Sequence, residues 1–212
     1  AGEMKRGRAW GAGGAWKAAV TEYPTARRAD PGFAEGQYRL ALACLRAQRP
    51  DGAFQGLSTA VELDPASLDA QLALGRFLLD AGQADPAAQK ALRVLAEEPD
   101  RVEALLLHAG ALAMLGKPAE ARDAFRQALT IDRDNLDAML GLARLACREG
   151  RFQEAEQFLD RAAAAHPAAI EPTVERALLE EPRGAPDTAL ALPAAARAPL
   201  AHATDLREPT PR

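Results

Sequence analysis

Apolar and polar positions along this chain follow a helical rhythm, and that rhythm is itself repeated at a longer interval. From Ala34 to Ala47 apolar residues recur at helical spacing, and the run stops at Arg49-Pro-Asp-Gly. Equivalent stops follow at Asp80-Ala-Gly-Gln, Leu115-Gly-Lys-Pro and Arg148-Glu-Gly-Arg. Pro50, Pro86 and Pro118 fall in the opening turn of the next stretch, where a missing N–H costs nothing. The pattern predicts pairs of helices joined by tight turns, with no strands.

The pairs keep a common clock. Pro31, Pro65 and Pro99 stand 34 residues apart, and Pro167 lies two further periods on, with Arg133 in the skipped place. Ala19, Ala53, Ala87, Ala121 and Ala155 keep the same interval, as does the small set Ala26, Ala60, Val94, Ala128 and Ala162. Between them fall Tyr23, Leu57, Ala91, Phe125 and Leu159. Small residues at a fixed phase mark where one helix approaches another closely. A single hairpin would leave its apolar face in water. Stacked neighbours bury it, so the chain is expected to form an array with contacts between adjacent units.

Composition sharpens this picture. Apolar residues make up 48% of the chain but aromatics only 5%, so the core must be built from Ala and Leu, which favour helices over strands. A net charge of −4 gives no electrostatic drive toward nucleic acid or an anionic membrane. No apolar run is long enough to span a bilayer. The chain opens on Ala1 and not Met, which predicts a trimmed start with room for upstream sequence. Cys44 and Cys147 lack metal-ligand spacing and decide no compartment, so cytoplasm and periplasm both stay open. Cys44 is read as a small buried thiol.

The repeat resembles the tetratricopeptide repeat family over residues 1 to 167. Gly7, Trp10, Gly14, Trp16, Ala19, Tyr23, Ala26 and Pro31 supply nearly the whole family signature in the first copy, and Leu74, Gly75, Leu78, Ala87 and Pro99 do so in the third. Two residues depart from it. Pro24 lies mid-helix, where it should cost about 3 kcal/mol and distort the first copy. His108 replaces an apolar residue and is read as a satisfied core histidine. The resemblance implies an all-α, right-handed α-solenoid of five helix-turn-helix repeats (1–32, 33–66, 67–100, 101–134 and 135–167). A capping helix is expected within 168–181, from Thr173 to Glu181 with Pro172 just before it. The Pro- and Ala-rich stretch 182–212 is expected to be a mostly disordered tail.

Catalysis needs converging groups, and none converge here. The histidines are scattered, the glycines are single turn-formers, and Glu97-Glu98 with Asp100 reads as a solvated acidic turn. Glu35, Asp69, Glu103 and Asp137 recur near the start of each first helix, where a carboxylate complements the helix dipole by about 0.3–1 kcal/mol. No catalytic residue, cofactor or metal is expected.

What the resemblance implies is binding, in a concave groove lined by the first helices. The groove positions carried over are Met4 and Arg8, then Tyr38, Leu42, Leu45 and Arg46. They continue with Leu72, Arg76 and Leu79, then Leu106, Gly110, Ala113 and Met114, and finally Leu140, Arg144, Cys147 and Arg148. An apolar stripe beside arginines suits a protein or peptide with hydrophobic anchors and a few carboxylates. The family's chaperone-binding carboxylate clamp is absent, since Met4, Arg8, Arg39, Asp69 and Ala73 stand at its places. Two functions follow as expectations. One is a non-catalytic interaction scaffold. The other is the repeat portion of a larger enzyme or bacterial assembly factor, for polysaccharide export, pili or cytochromes. Partner identity and oligomeric state are not legible, and Ala-rich, Arg-over-Lys usage is compatible with a bacterial origin.

Overall fold

The computed structural model describes residues 34–180, which form nine helices and no strand. These are α1 (Ala34–Arg46), α2 (Pro50–Leu63), α3 (Leu68–Asp80), α4 (Ala84–Glu97), α5 (Val102–Met114), α6 (Pro118–Ile131), α7 (Leu136–Arg148), α8 (Phe152–Ala165) and α9 (Glu171–Glu180). Four of the expected hairpins are therefore present, as α1/α2, α3/α4, α5/α6 and α7/α8. The first copy, with Met4, Arg8 and Pro24, and the tail 182–212 lie outside the described residues. The described residues divide into two compact units, 34–132 and 133–180.

Each first helix is closed by the same backbone device. The N–H of Gln83 donates to the Leu78 carbonyl (2.8 Å) and that of Gly82 to Leu79 (2.9 Å), with Gly82 at φ +78°. This pair of bonds satisfies carbonyls that a helix end would leave open, and it requires a left-handed residue. Gly116 and Gly150 repeat it at φ +71° and +72°. In the α1/α2 turn the same place is held by Gln48, at φ +55°, with the same bonds from Arg49 to Cys44 and from Gln48 to Leu45. Helix starts are less uniform. Ser67 and Asn135 cap α3 and α7 by accepting the Ala70 and Ala138 N–H groups, whereas Arg101 makes no such bond at α5.

In the first unit, Ala41, Leu57, Ala60, Leu74, Leu78 and Ala91 form a continuous core with their neighbours. In the second, Leu140, Ala143, Ala146, Ala155 and Leu159 do so. The small periodic residues Ala53, Ala87, Ala121 and Ala155 are all fully buried. Closeness is greatest at Gly75, where a β-carbon would lie 2.6 Å from Leu107 Cδ2 and 2.9 Å from Lys90 Cβ. That spacing seats α3 against both α4 and α5. Gln71 is buried in the same unit, and its Nε2 donates to the Pro65 carbonyl at 3.1 Å. The side chain thereby ties α3 to the turn before it.

The capping helix differs from expectation in its start. α9 begins at Glu171, so Pro172 lies inside its first turn and is fully buried. A first-turn proline is tolerated because its missing N–H has no helical acceptor there. α9 packs on α7 and α8 within the second unit, held by Arg144 to Glu175 and Arg176 to Asp160.

Candidate functional site: an apolar cleft across three first helices

In the first unit, α1, α3 and α5 present one face each to a cleft of about 320 Å³. Its apolar lining comes from Tyr38, Leu42 and Leu45 of α1, Leu72, Ala73 and Phe77 of α3, and Leu107 of α5. Helical spacing brings these residues together: Tyr38, Leu42 and Leu45 lie four and three apart, and Ala73 and Phe77 lie four apart with Leu72 beside Ala73. Leu45 remains 40% exposed, so apolar surface is offered to water. Phe77 is held in place by Phe54 of α2, with ring centroids 5.7 Å apart.

Charged groups edge this surface. Asp69, Asp80 and Glu103 contribute carboxylates, and Arg76 and Arg101 contribute guanidiniums. Arg101 binds Asp69 of α3 at 2.5 Å, Glu98 at 3.0 Å and Glu103 at 3.7 Å. The hydrogen bond to Asp69 is the chief cause of an Arg101 pKa above the ordinary value, against a smaller opposing effect of burial. Arg76 is exposed and forms no ion pair with the described residues. Burial, then the Asp69 and Glu35 carboxylates, push the Tyr38 phenol up, with Arg101 and Arg39 opposing.

The groove positions carried over from sequence are thus divided. Tyr38, Leu42, Leu72 and Arg76 meet in the cleft. Arg46 is exposed at the end of α1 and outside the lining. Leu106 is half-buried, and the lining residue on α5 is its neighbour Leu107. Met114 is 51% exposed at the end of α5. In the second unit Leu140 is buried, Arg144 is paired with Glu175, and Arg148 is exposed. Arg8 lies outside the described residues. Sequence reasoning missed Asp69, Glu103, Arg101, Phe77 and Leu107 as lining residues. An arginine at Arg101, where two other copies carry the capping residues Ser67 and Asn135, was the available signal for one of them.

Two tetratricopeptide repeat family models match the chain, one over residues 4–68 and 72–135 and the other over residues 112–178. The chain belongs to the tetratricopeptide repeat family. No curated protein sequence matches it. Among solved structures, MamA from Desulfovibrio magneticus RS-1 is similar at 16% identity and a TM-score of 0.71, over 78% of this chain and 94% of that one. PilF from Pseudomonas aeruginosa is similar at 21% and 0.69, over 90% and 87%. YrrB, a tetratricopeptide repeat protein with an unusual peptide-binding site, is similar at 18% and 0.68, over 81% and 88%. The fold class is that of the all-α helical-repeat solenoids, and both named source organisms are consistent with a bacterial protein. Membership of a repeat family of this kind supports a protein–protein interaction scaffold.

His108 departs from the family's apolar residue and from the reading given above. It is half-buried on α5, and no hydrogen-bond partner for its ring is found among the described residues. Burial is the main cause holding its pKa below the ordinary value, against the pull of Glu120. The ring is half-buried, whereas the sequence led one to expect it enclosed in the core. Cys44 is buried, as its apolar flanks predict, and both cysteines are free thiols. Among the described residues no group of three His, Cys, Asp or Glu could hold a metal ion, and no helix is long and apolar enough to cross a membrane.

Proposed function

We propose that this repeat protein is a non-catalytic scaffold that takes a peptide or a helix of a partner protein in the cleft of α1, α3 and α5. One observation carries the reading: an apolar surface from three helices is left open beside an arginine with no carboxylate of its own. Exposed apolar surface in a concave, charge-edged setting is what interaction sites offer. Leu72 and Tyr38 would receive hydrophobic anchors, and Arg76 can pair bidentately with a carboxylate of the incoming segment. The peptide-binding site named for YrrB is a property of that protein, and it supports the capacity of this fold to present one. Recruitment within a larger assembly factor would use the same binding event, and neighbours at 16–21% identity carry no choice of cargo.

The test is a crosslinking pull-down from native extract, with the intact chain beside a Leu72→Glu/Arg76→Glu variant shown by circular dichroism to be folded. A partner captured by the first and lost by the second supports the cleft as the working surface. Equal capture by both would move binding off the cleft.

A further inference from the structure

We propose that the segment bound in this cleft carries a Lys or Arg beside its apolar anchors, and lies with that basic end over the N-terminal ends of α3 and α5. The inference rests on the cleft being the binding site, and it adds the partner's charge and direction.

Charge in the cleft is sorted by position along the helices. Glu35, Asp69 and Glu103 occupy the same place at the starts of α1, α3 and α5. A helix dipole accounts for each of them singly. It does not account for Asp69 and Glu103 lining an apolar cleft, with side chains still 63% exposed. Of the charges that line the cleft at this end, Asp69 and Glu103 share Arg101, which also binds Glu98 beside the lining. One negative charge of the lining is left over, and two when Glu98 is included. At the opposite end Arg76 and Asp80 balance. Asp69 and Arg76 are seven residues apart on α3, about 10 Å along the axis. Leu72 lies between them.

A ligand cation would meet carboxylates that are already hydrated and held in place, so it avoids the desolvation cost of a buried ion pair. At Tyr38, burial is the largest cause of the raised phenol, and among the charges Asp69 and Glu35 outweigh Arg101 and Arg39. Nucleic acid is disfavoured by the same field. A metal ion is disfavoured because Arg101 already sits between Asp69 and Glu103. Complementary potentials of this kind set orientation and partner choice more than affinity.

The test uses a random dodecapeptide library on phage, panned against the full chain, with binding of synthesised winners read by fluorescence anisotropy. Winners should carry Lys or Arg on one side of an apolar pair. They should weaken by about tenfold on an Asp69→Asn/Glu103→Gln variant, at several-fold for each exposed pair lost. Asp123→Asn, an exposed carboxylate on α6, should leave them unchanged. Arg101→Gln should act in the opposite sense and tighten them, which a merely structural role for these residues would not produce. Thermal melts confirm that each variant is folded. Winners that need Leu72 but ignore the neutralisation, or that carry no basic residue, overturn the inference and leave the cleft as a binding site. Failure to obtain any peptide sensitive to Leu72→Glu overturns the cleft reading itself.

Discussion

Arg76 and Arg144 hold the same position in their repeats, two periods apart, and they meet different surroundings. Arg76 of the first unit edges an open cleft and has no ion-pair partner among the described residues. Arg144 of the second unit is bound by Glu175 of α9, its Nε donating at 2.7 Å. Their apolar companions differ in the same way: Leu72 is half-buried, whereas Leu140 is 4% exposed. Register therefore says where a side chain starts, and the element packed beside it decides whether it is available. α9 packs against α7 and pairs the arginine whose counterpart on α3 has no such partner.

The strongest way to break the comparison is through the two cores. Leu57 and Leu159 are equivalent and fully buried. Leu57→Ala and Leu159→Ala should each lower the unfolding free energy by about 2–5 kcal/mol, measured by urea titration. Hydrogen exchange should speed up around α1 to α3 in the first and around α7 to α9 in the second. Faster exchange spread evenly over both units would show that they do not respond separately.

Next in size is Gly75→Ala, which must displace Leu107 or Lys90 and should cost about 1–3 kcal/mol. At the equivalent place in the second unit, Ala143→Gly should cost only about 0.5–1 kcal/mol, through backbone freedom. Thermal melts that rank the two the other way would remove the claim of closer packing at Gly75.

A gain is expected at the turns. Gln48 sits in the left-handed region that Gly150 occupies in the second unit. Gln48→Gly should raise stability by about 1 kcal/mol, and Gly150→Ala should lower it by about as much. If Gln48→Gly were neutral, its side chain would have to be making good the strain.

Smaller still is the ion pair on α9. Arg144 is more than half exposed, so Arg144→Ala should cost less than about 1 kcal/mol in a double-mutant cycle with Glu175→Ala. A larger coupling would make this pair, and not apolar packing, the main hold on the cap. The slightest effect is one of titration. With Tyr23→Phe as background, Tyr38 should ionise above the ordinary value of 10.0, and Asp69→Asn should bring it down. Because the folded value is raised, its contribution to stability is complete below pH 10.0 and is lost as pH climbs through the folded value. An unchanged ultraviolet titration in the Asp69→Asn protein would remove Asp69 as a cause and leave burial and Glu35.

The repeat was legible because its determinants are local and periodic. Ala53, Ala87, Ala121 and Ala155 must be small wherever two helices meet, and Pro65 and Pro99 mark two of the turns between hairpins. Five cleft residues, Tyr38, Leu42, Leu45, Leu72 and Arg76, followed from the family's groove positions. Asp69 and Glu103 did not, because a helix start explains a carboxylate well enough in one dimension. Arg101 was hidden for a related reason: its partner Asp69 is 32 residues away, beyond any search for pairs within one helix. Leu107 lines the cleft although the groove rule selects Leu106, since the facing edge of α5 depends on how closely α3 approaches.

The turn seen after α1, α3, α5 and α7 has a consequence for how such a protein can change over generations. Each hairpin passes from its first helix to its second through the same backbone conformation. A gene segment encoding one hairpin can then be duplicated or lost with its own turn intact, and only contacts between neighbours, such as Asp69 with Arg101, have to be remade. Length becomes a heritable variable separate from foldability, and the reach of a binding surface can be altered before its chemistry is.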